Sequence, residues 1–375
     1  MKIIRILALF TIIITGLHMG ANIPCATLLS HADDSSVYTY QVDDYILYLD
    51  DAGVLAVSVR ERIGETFRTV YPIMAARYNK TAPKTVYLNV DTENEGVAHA
   101  AGNRITLMAS WINSNPNDTD CITHELFHVV QSYRSYDPVW LIEGITDYAR
   151  YKFGLYNDEA HWSLPGFSSA DKYTDSYRVT ARFLVWIEQK KNPDIVANLD
   201  IALRNGTYTA NKWVDFTGKT LDELWSEYAK SPAITGASAI VTDIYYTLPY
   251  KTEYNVWESL DLEGLNVVKL MQDGTVRCAV GFKATGYSGT AGPNRITVTY
   301  QDMFKRFYVN VADPPVRGDV NRDGCTNLQD IMKMRKFILS KATPSDEQIY
   351  FADMNGDGTV SAADVMRLRN KILGV

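Results

Sequence analysis

The sequence predicts a multidomain protein in three parts: an α+β domain, a small all-β sandwich and a small helical tail. Up to about residue 231, long helical patterns follow a few short strand patterns, which is typical of an α+β domain. From about residue 240, polar and apolar residues alternate between turn signals, as they do in a small sandwich. Residues 318–375 contain an internal repeat of an acidic loop and an amphipathic helix.

Length and charge limit the number of domains and the classes of binding partner. The 375 residues exceed one average domain and indicate two or three. The net charge of −7 argues against a nucleic-acid surface and against binding to anionic membranes.

Residues 1–32 have the features of a signal peptide. Two basic residues precede an apolar run from Ile6 to Ile14, which is too short and too closely followed by polar sequence for a membrane span. Cleavage is expected near residues 26–32. Lipidation at Cys25 is an alternative, although "NIPC" is a poor signal for it. We therefore expect a secreted protein with no membrane span after cleavage.

Three cysteines remain after the signal peptide: Cys121, Cys278 and Cys325. An odd, widely spaced set does not form a disulfide framework. An exported chain of this kind must take its stability from its cores and from metal ions.

The α+β domain is expected over residues 33–236. Strands are predicted at Lys84–Val90 and at Asn103–Ile112, and the second of these is the expected edge of the sheet. Helices are predicted in "CITHELFHVVQ", "PVWLIEGITDYARYKFG", "DSYRVTARFLVWIEQKK" and "TLDELWSEYAKS".

The first of these helices has the pattern of a metal site. His124 and His128 are four residues apart and share a helix face, so they can bind one zinc ion with Glu125 beside its open position. A structural pair of buried histidines is the alternative for this pentapeptide alone. Gln131 follows one turn later; glutamine is a poor zinc ligand, so we interpret it as a support for a ligand or as a helix-face residue.

The second helix offers a third ligand. Glu143 lies fifteen residues after His128, and Asp147 follows on the same helix face. One carboxylate can bind zinc while the other holds the second nitrogen of a ligand histidine. This arrangement resembles the gluzincin pattern of thermolysin-like peptidases.

Three segments carry a closer family resemblance: "ITHELFHVVQ", "WLIEGITDYARY" and "YTDSYRVTARFLVWIE". Over about residues 33–231 the chain resembles the basic secretory protein family of plant and bacterial zinc peptidases. The resemblance implies a zincin-like domain that hydrolyses peptide bonds in a protein or peptide substrate. It also implies one catalytic zinc, with His124, His128 and Glu143 as its ligands.

Roles for nearby residues follow from this chemistry. Glu125 suits a general base that takes a proton from water and then passes it to the leaving amine. Tyr177 is the candidate donor to the developing oxyanion, with Tyr173 and His161 as alternatives; each could instead be a packing tyrosine or a surface histidine. His99 precedes the expected edge strand, which could pair with an extended peptide, but a structural role suits His99 better.

The all-β part is expected over residues 243–312. Its segments "WESLDLEGLNVVKLMQDGTVRCAV" and "RITVTYQDMFKRFYVNV" resemble bacterial immunoglobulin-like domains. Carbohydrate or surface binding is one interpretation, and a spacer is the favoured one because a fold does not fix a function. Residues 313–317 predict a linker.

Each half of the tail repeat predicts a calcium loop followed by a helix. Calcium takes six to eight oxygen ligands, which alternating acidic and amide residues supply. Position 12 is Asp in both copies, and no helix is expected before either loop. A solvated acidic face is the alternative. The predicted ligands are Asp319, Asn321, Asp323, Cys325 through its backbone, Asn327 and Asp330 in the first loop, and Asp353, Asn355, Asp357, Thr359 through its backbone, Ser361 and Asp364 in the second.

The tandem loops and helices of residues 318–375 resemble type I dockerins. The resemblance implies two calcium ions, docking onto a cohesin module of a cellulosome scaffoldin, and an extracellular location on the cellulosome and the cell surface. The candidate cohesin contacts that it implies are Leu328, Gln329, Arg335, Lys336, Ala362, Ala363 and Arg369.

Two functions from different classes fit these patterns. The leading hypothesis is a secreted zinc metallopeptidase attached to a cellulosome. The alternative is a non-catalytic cellulosomal binding or structural protein with a structural zinc. A structural zinc usually has four protein ligands, whereas three ligands and an adjacent Glu125 are found, which favours catalysis.

Overall fold

The computed structural model describes residues 36–236, 238–313 and 317–375. The predicted signal peptide and part of the predicted linker lie outside these ranges. Among the residues so described, none of the helices is long and apolar enough to cross a membrane.

The first domain is built on a five-stranded mixed sheet. Its strands are β1 (Val37–Val42), β2 (Tyr45–Asp50), β3 (Thr85–Asp91), β4 (Ala98–Ala101) and β5 (Arg104–Met108), in the order β1-β2-β3-β5-β4. β2, β3 and β5 are parallel, while β1 and β4 run antiparallel to their neighbours at the two edges. Side chains alternate across the sheet, so that Leu47 and Leu49 of β2 and Val86 and Leu88 of β3 are fully buried.

The strand predicted at Asn103–Ile112 is wrong in its second half. It ends at Met108, and Ala109–Ser114 forms helix α2. The ladder stops there because the last residue of β3 pairs with Met108, so a longer strand would have no partner on that side. The edge strand is β4, which contains His99, rather than the strand that follows it.

Eight helices are described in this domain. They are α1 (Val57–Tyr78), α2, α3 (Cys121–Gln131), α4 (Val139–Phe153), α5 (Tyr177–Lys190), α6 (Ile195–Arg204), α7 (Asn211–Thr217) and α8 (Leu221–Lys230). α3 lies between α1 and α4, and α4 packs on α5. α3 is enclosed on nearly all sides: each of its residues except His128 is buried, and Leu126, Phe127 and Val130 are fully buried. The fold therefore holds the motif of α3 deep in the domain.

The all-β region forms two sheets, as the alternation of its residues predicts. Its strands are β6 (Val241–Tyr246), β7 (Glu253–Tyr254), β8 (Val267–Met271), β9 (Val276–Cys278), β10 (Lys283–Thr285), β11 (Gly292–Tyr300) and β12 (Met303–Val311). One sheet has the order β10-β11-β12-β7 and the other β6-β8-β9. Ile244, Ile296 and Val309 are buried in the core of this region.

The all-β region packs directly on the first domain. Val268 and Val276 are buried in the same apolar cluster as the core of that domain. Arg68 of α1 donates hydrogen bonds to the backbone oxygens of Gly264 (2.9 Å) and Leu248 (2.7 Å). This contact argues against a freely moving spacer.

The tail contains helices α9 (Leu328–Ile338), α10 (Asp346–Ala352) and α11 (Ala362–Leu373). α9 and α11 pack together. The expectation that no helix precedes either loop is wrong for the second loop, because α10 ends directly before Asp353. Ser345 and Gln348 form a capping box, which satisfies the first backbone N–H groups of this short helix. The ring of Trp257, in the all-β region, packs against the ring of Phe351 in α10, with the two ring centroids 5.8 Å apart.

Candidate metal centre

Helices α3 and α4 bring His124, His128 and Glu143 together. One potential ligand atom from each lies within 4.8 Å of the other two, and no other such group is found among the described residues. Oε2 of Glu143 is 3.1 Å from Nε2 of His124 and 3.6 Å from Nε2 of His128. Two imidazoles and one carboxylate are a donor set that suits zinc.

Helical spacing and one glycine produce this cluster. The rings of His124 and His128 lie on one face of α3 with their centroids 4.9 Å apart. Beside Glu143, Gly144 lets α5 approach α4 closely, since a Cβ atom there would lie 2.2 Å from the Thr180 side chain. The approach brings the start of α5 to the rim of the cluster.

The second nitrogen of each ring is held by the protein. Nδ1 of His124 lies 2.7 Å from Oδ1 of Asp147, and Nδ1 of His128 lies 2.8 Å from Oε1 of Gln131. Gln131 is buried, and its amide also donates to the Ile142 carbonyl (3.4 Å). These contacts fix both rings and leave both Nε2 atoms facing Glu143, the orientation that metal binding requires. Asp147 and Gln131 thus make the contacts that the sequence suggests.

The electrostatics of the cluster favour a cation. Burial alone would lower the pKa of His124, but the hydrogen bonds to Asp147 and Glu143 raise it to about 10. Burial alone would raise the pKa of Glu143, but contacts with both histidines lower it to about 2. The cluster therefore stabilises positive charge at its centre, and its residues fit a divalent metal ion.

Glu125 stands beside this cluster without a partner. It is 5% exposed, and its Oε2 atom has no hydrogen-bond partner among the described residues. Burial raises the pKa of Glu125, while His124 and His128 oppose that shift. The edge strand β4, which contains His99, packs against the helix that carries Glu125. An unpartnered buried carboxylate is poised to accept a proton.

Of the predicted donors, only Tyr177 lies against the cluster. Its ring stacks on His124 with the centroids 6.2 Å apart, and its side chain is 54% exposed. Ser176 and Tyr177 both have positive φ (64° and 46°), which is unusual for residues other than glycine. Burial, and then the charges of neighbouring carboxylates, raise the pKa of Tyr177, so its hydroxyl stays protonated.

The other two predicted donors, Tyr173 and His161, have other surroundings. The Tyr173 hydroxyl donates to Oδ1 of Asp222 (3.0 Å), and its ring packs against Trp140 and Trp225. This hydrogen bond argues against Tyr173 as the oxyanion donor. His161 is exposed in the turn that follows α4.

Sequence reasoning missed Tyr136. This residue lies in the loop between α3 and α4, where its hydroxyl donates to Oε1 of Glu143. Its ring lies 5.9 Å from the His128 ring. The loop has no periodic pattern from which a role for Tyr136 could be predicted. The available signal was the position of Tyr136 between the two metal-binding segments.

The two acidic loops of the tail have the same internal geometry. Oδ2 of Asp319 accepts a hydrogen bond from the backbone N–H of Gly324, and Oδ2 of Asp353 accepts one from Gly358, both at 2.9 Å. Gly324 and Gly358 have φ of 85° and 83°, which glycine adopts without strain. The aspartate at position 12 of each loop, Asp330 or Asp364, accepts from the backbone N–H at position 3. Both loops thus have the sharply turning glycine at position 6 that the calcium-loop template has.

The candidate cohesin contacts lie on α9 and α11, and the structure leaves all of them exposed: Leu328, Gln329, Arg335, Lys336, Ala362, Ala363 and Arg369. Leu328 is 66% exposed, which is unusual for a leucine on an amphipathic helix and suits a binding surface.

Comparisons with known families agree with the predicted order of domains. Residues 49–228 match the family described as peptidase of plants and bacteria. Residues 247–311 match the bacterial Ig-like domain (group 3), and residues 317–373 match the dockerin type I domain. The three predicted resemblances are confirmed. The chain combines a peptidase-family domain of α+β fold, an immunoglobulin-like β domain and a C-terminal helical dockerin.

Solved structures give weaker similarities. An M1 zinc metallopeptidase from Deinococcus radiodurans aligns at 10% identity and a TM-score of 0.32, over 48% of this chain and 47% of that one. Aminopeptidase A of Legionella pneumophila, in complex with aspartic acid, aligns at 12% identity and a TM-score of 0.38, over 91% and 45%. The chain thus spans about half the length of these two proteins. A conserved Bacillus anthracis protein of unknown function aligns at 12% identity and a TM-score of 0.31, over 74% and 73%. No curated protein matched the chain.

Proposed function

We propose that this protein is a secreted zinc metallopeptidase that attaches to a cellulosome through its dockerin. The observation that carries the proposal is the cluster of His124, His128 and Glu143 beside the unpartnered carboxylate of Glu125. The cluster lies within the peptidase-family domain of residues 49–228. Three ligands and an adjacent general base are the composition of a catalytic zinc site rather than of a structural one.

The ligands in this proposal are His124, His128 and Glu143, with Asp147 holding the His124 ring. Zinc bound there would polarise the scissile carbonyl and lower the pKa of a water molecule. Glu125 accepts the proton of the attacking water on its free Oε2 atom and then delivers it to the nitrogen of the leaving amine. The Tyr177 hydroxyl donates a hydrogen bond to the carbonyl oxygen as negative charge develops on it.

The edge strand β4 suits an extended peptide substrate. It pairs with β5 on one side, and none of the described strands lies on its other side. A peptide can add to such an edge through backbone hydrogen bonds. β4 also packs against α3, the helix that carries Glu125, which supports a position of this strand beside the metal centre.

Attachment is proposed to occur through the dockerin. Two calcium ions in the loops that begin at Asp319 and Asp353 would hold α9 and α11 in place, and the exposed residues of those helices would contact a cohesin module. Calorimetry against a panel of cohesins should show binding with calcium and none after chelation. Failure to bind any cohesin in calcium would contradict this part of the proposal.

Hydrolysis is tested most simply on the purified wild-type protein. A casein-type substrate should be cleaved, and new amino termini should appear in the products. A zinc chelator should abolish cleavage, and one equivalent of zinc should restore it while calcium is kept constant. Cleavage that persists in the chelator, with contaminating proteases excluded by mock purification, would contradict the zinc mechanism.

A further inference from the structure

The two oxygens of Glu143 have different surroundings. Oε2 faces both imidazoles, 3.1 Å from Nε2 of His124 and 3.6 Å from Nε2 of His128. Oε1 instead accepts the hydrogen bond from the Tyr136 hydroxyl. One oxygen of this carboxylate is therefore directed to the centre of the cluster, and the other is occupied by a side chain from the preceding loop.

The loop that carries Tyr136 connects the two helices that supply the metal ligands, α3 and α4. It begins at Ser132, whose left-handed backbone (φ 46°) ends α3, and it ends at Pro138, which precedes α4. The Tyr136 ring lies against the His128 ring at an angle of 51°. The tyrosine thus contacts one histidine through its ring and Glu143 through its hydroxyl, although it remains 53% exposed.

We infer that Tyr136 is a positioning residue that makes Glu143 offer a single oxygen, Oε2, to the metal ion. The inference rests on the proposed zinc site. A carboxylate can bind a metal through one oxygen or through both, and the binding mode decides how many positions remain for water and substrate. The hydrogen bond from Tyr136 reserves Oε1, so that one position stays open, as a catalytic zinc site requires.

Tyr177 has a different place in the site. It stacks on His124, and its hydroxyl makes no hydrogen bond to Glu143 or to any other described residue. The two tyrosines therefore flank the two histidines without duplicating each other. Of these two tyrosines, Tyr136 is the one whose hydroxyl donates to the Glu143 carboxylate.

The test is Tyr136→Phe, which removes the hydroxyl and keeps the ring against His128. Zinc affinity is measured on the full chain by competition with a chromophoric chelator, at constant calcium. We expect the affinity of the variant to fall about tenfold, the lower end of the usual effect of such supporting groups. The visible absorption spectrum of the cobalt(II)-loaded protein should also change, since it reports the number of ligands around the metal.

The matched control is Tyr308→Phe, at an exposed tyrosine on β12; its zinc affinity and cobalt spectrum should equal those of the wild type. An unchanged affinity and an unchanged spectrum in Tyr136→Phe would overturn the inference and leave the zinc site intact. Failure of the wild type itself to bind zinc would overturn both the inference and the proposed function.

Because Tyr136 is exposed, the melting temperature of the zinc-free variant should match that of the zinc-free wild type. This measurement separates an effect on metal binding from an effect on folding.

Discussion

Oδ1 of Asp147 lies 2.7 Å from Nδ1 of His124, and this contact turns the other ring nitrogen toward Glu143. Both residues are buried, with 8% of His124 and 5% of Asp147 exposed. The carboxylate fixes the tautomer of the ring, because Nδ1 must donate to it, and leaves Nε2 free as a ligand.

Replacement of Asp147 should therefore weaken metal binding without removing a ligand. We expect Asp147→Ala to bind zinc about 10–100-fold more weakly than the wild type, the range typical of groups that orient a ligand histidine. Chelator competition measures the effect, and Asp302→Ala, in the exposed turn between β11 and β12, is the control. An affinity within twofold of the wild type would show that the contact does not orient His124.

The contact of Arg68 with the all-β region should contribute to stability. Arg68 is 5% exposed; besides its bonds to Gly264 and Leu248, it donates to the Gln41 carbonyl (3.2 Å) and lies 4.4 Å from the Tyr250 ring centre. Hydrogen bonds from a charged group contribute about 1.5–3 kcal/mol each, and Arg68 makes three of them to backbone oxygens.

We therefore expect Arg68→Ala to lower the free energy of unfolding by about 2–4 kcal/mol. Urea denaturation measures the loss. Arg295→Ala, at an exposed position of β11, should stay within about 0.5 kcal/mol of the wild type. Equal stability of the two variants would mean that the domains do not support each other in solution.

Asp200 should give the protein a specific pH dependence. Burial raises the pKa of this carboxyl to about 6, although Arg204 and Tyr133, whose hydroxyl lies 2.8 Å away, both oppose the shift. In the unfolded chain the pKa is about 3.9. Between these values the folded state holds the extra proton, so the contribution of Asp200 to stability is full below about pH 4 and is lost as the pH rises through 6.

The comparison with Asp200→Asn isolates this effect, since other titrating groups are common to both proteins. The free energy of unfolding of the variant, relative to the wild type, should increase by about 2 kcal/mol from pH 4 to pH 7. Urea denaturation at four pH values measures it. A difference that stays constant with pH would show that the carboxyl titrates normally.

Each calcium loop should lose its ion independently. Asp319→Ala and Asp353→Ala remove position 1 of the first and second loops. Each variant should bind one calcium ion where the wild type binds two, and the double variant should bind none. Calorimetric titration counts the sites, with Asp313→Ala, an exposed residue ahead of the tail, as the control. Two ions in either single variant would refute the loop assignment.

The residue pairs of the metal cluster could be predicted from the sequence because the spacing within each pair is local to one helix. The spacing of His124 and His128, and that of Glu143 and Asp147, follow from the helical repeat alone. Tyr136 could not be predicted in the same way, since it lies in a loop without periodicity. The helix α10 was missed because seven residues are too few for a clear periodic pattern.

Contacts between distant parts of the chain also escaped prediction. Arg68 and Gly264 are 196 residues apart, and nothing in either segment indicates the other. The place of Tyr177 depends on how closely α5 approaches α4, which Gly144 and Thr180 decide through their side-chain volumes. Such packing is a tertiary effect that hydrophobic patterns do not encode.

The most direct test of the central claim compares wild type and Glu125→Gln side by side for zinc content and for hydrolysis of a casein-type substrate. Glutamine keeps the shape of the side chain but cannot take up the proton of the attacking water. One zinc per chain in both proteins, with hydrolysis by the wild type alone, is the predicted result. Equal hydrolysis by both proteins, after contaminating proteases are excluded, would contradict the role of Glu125 and the mechanism built on it.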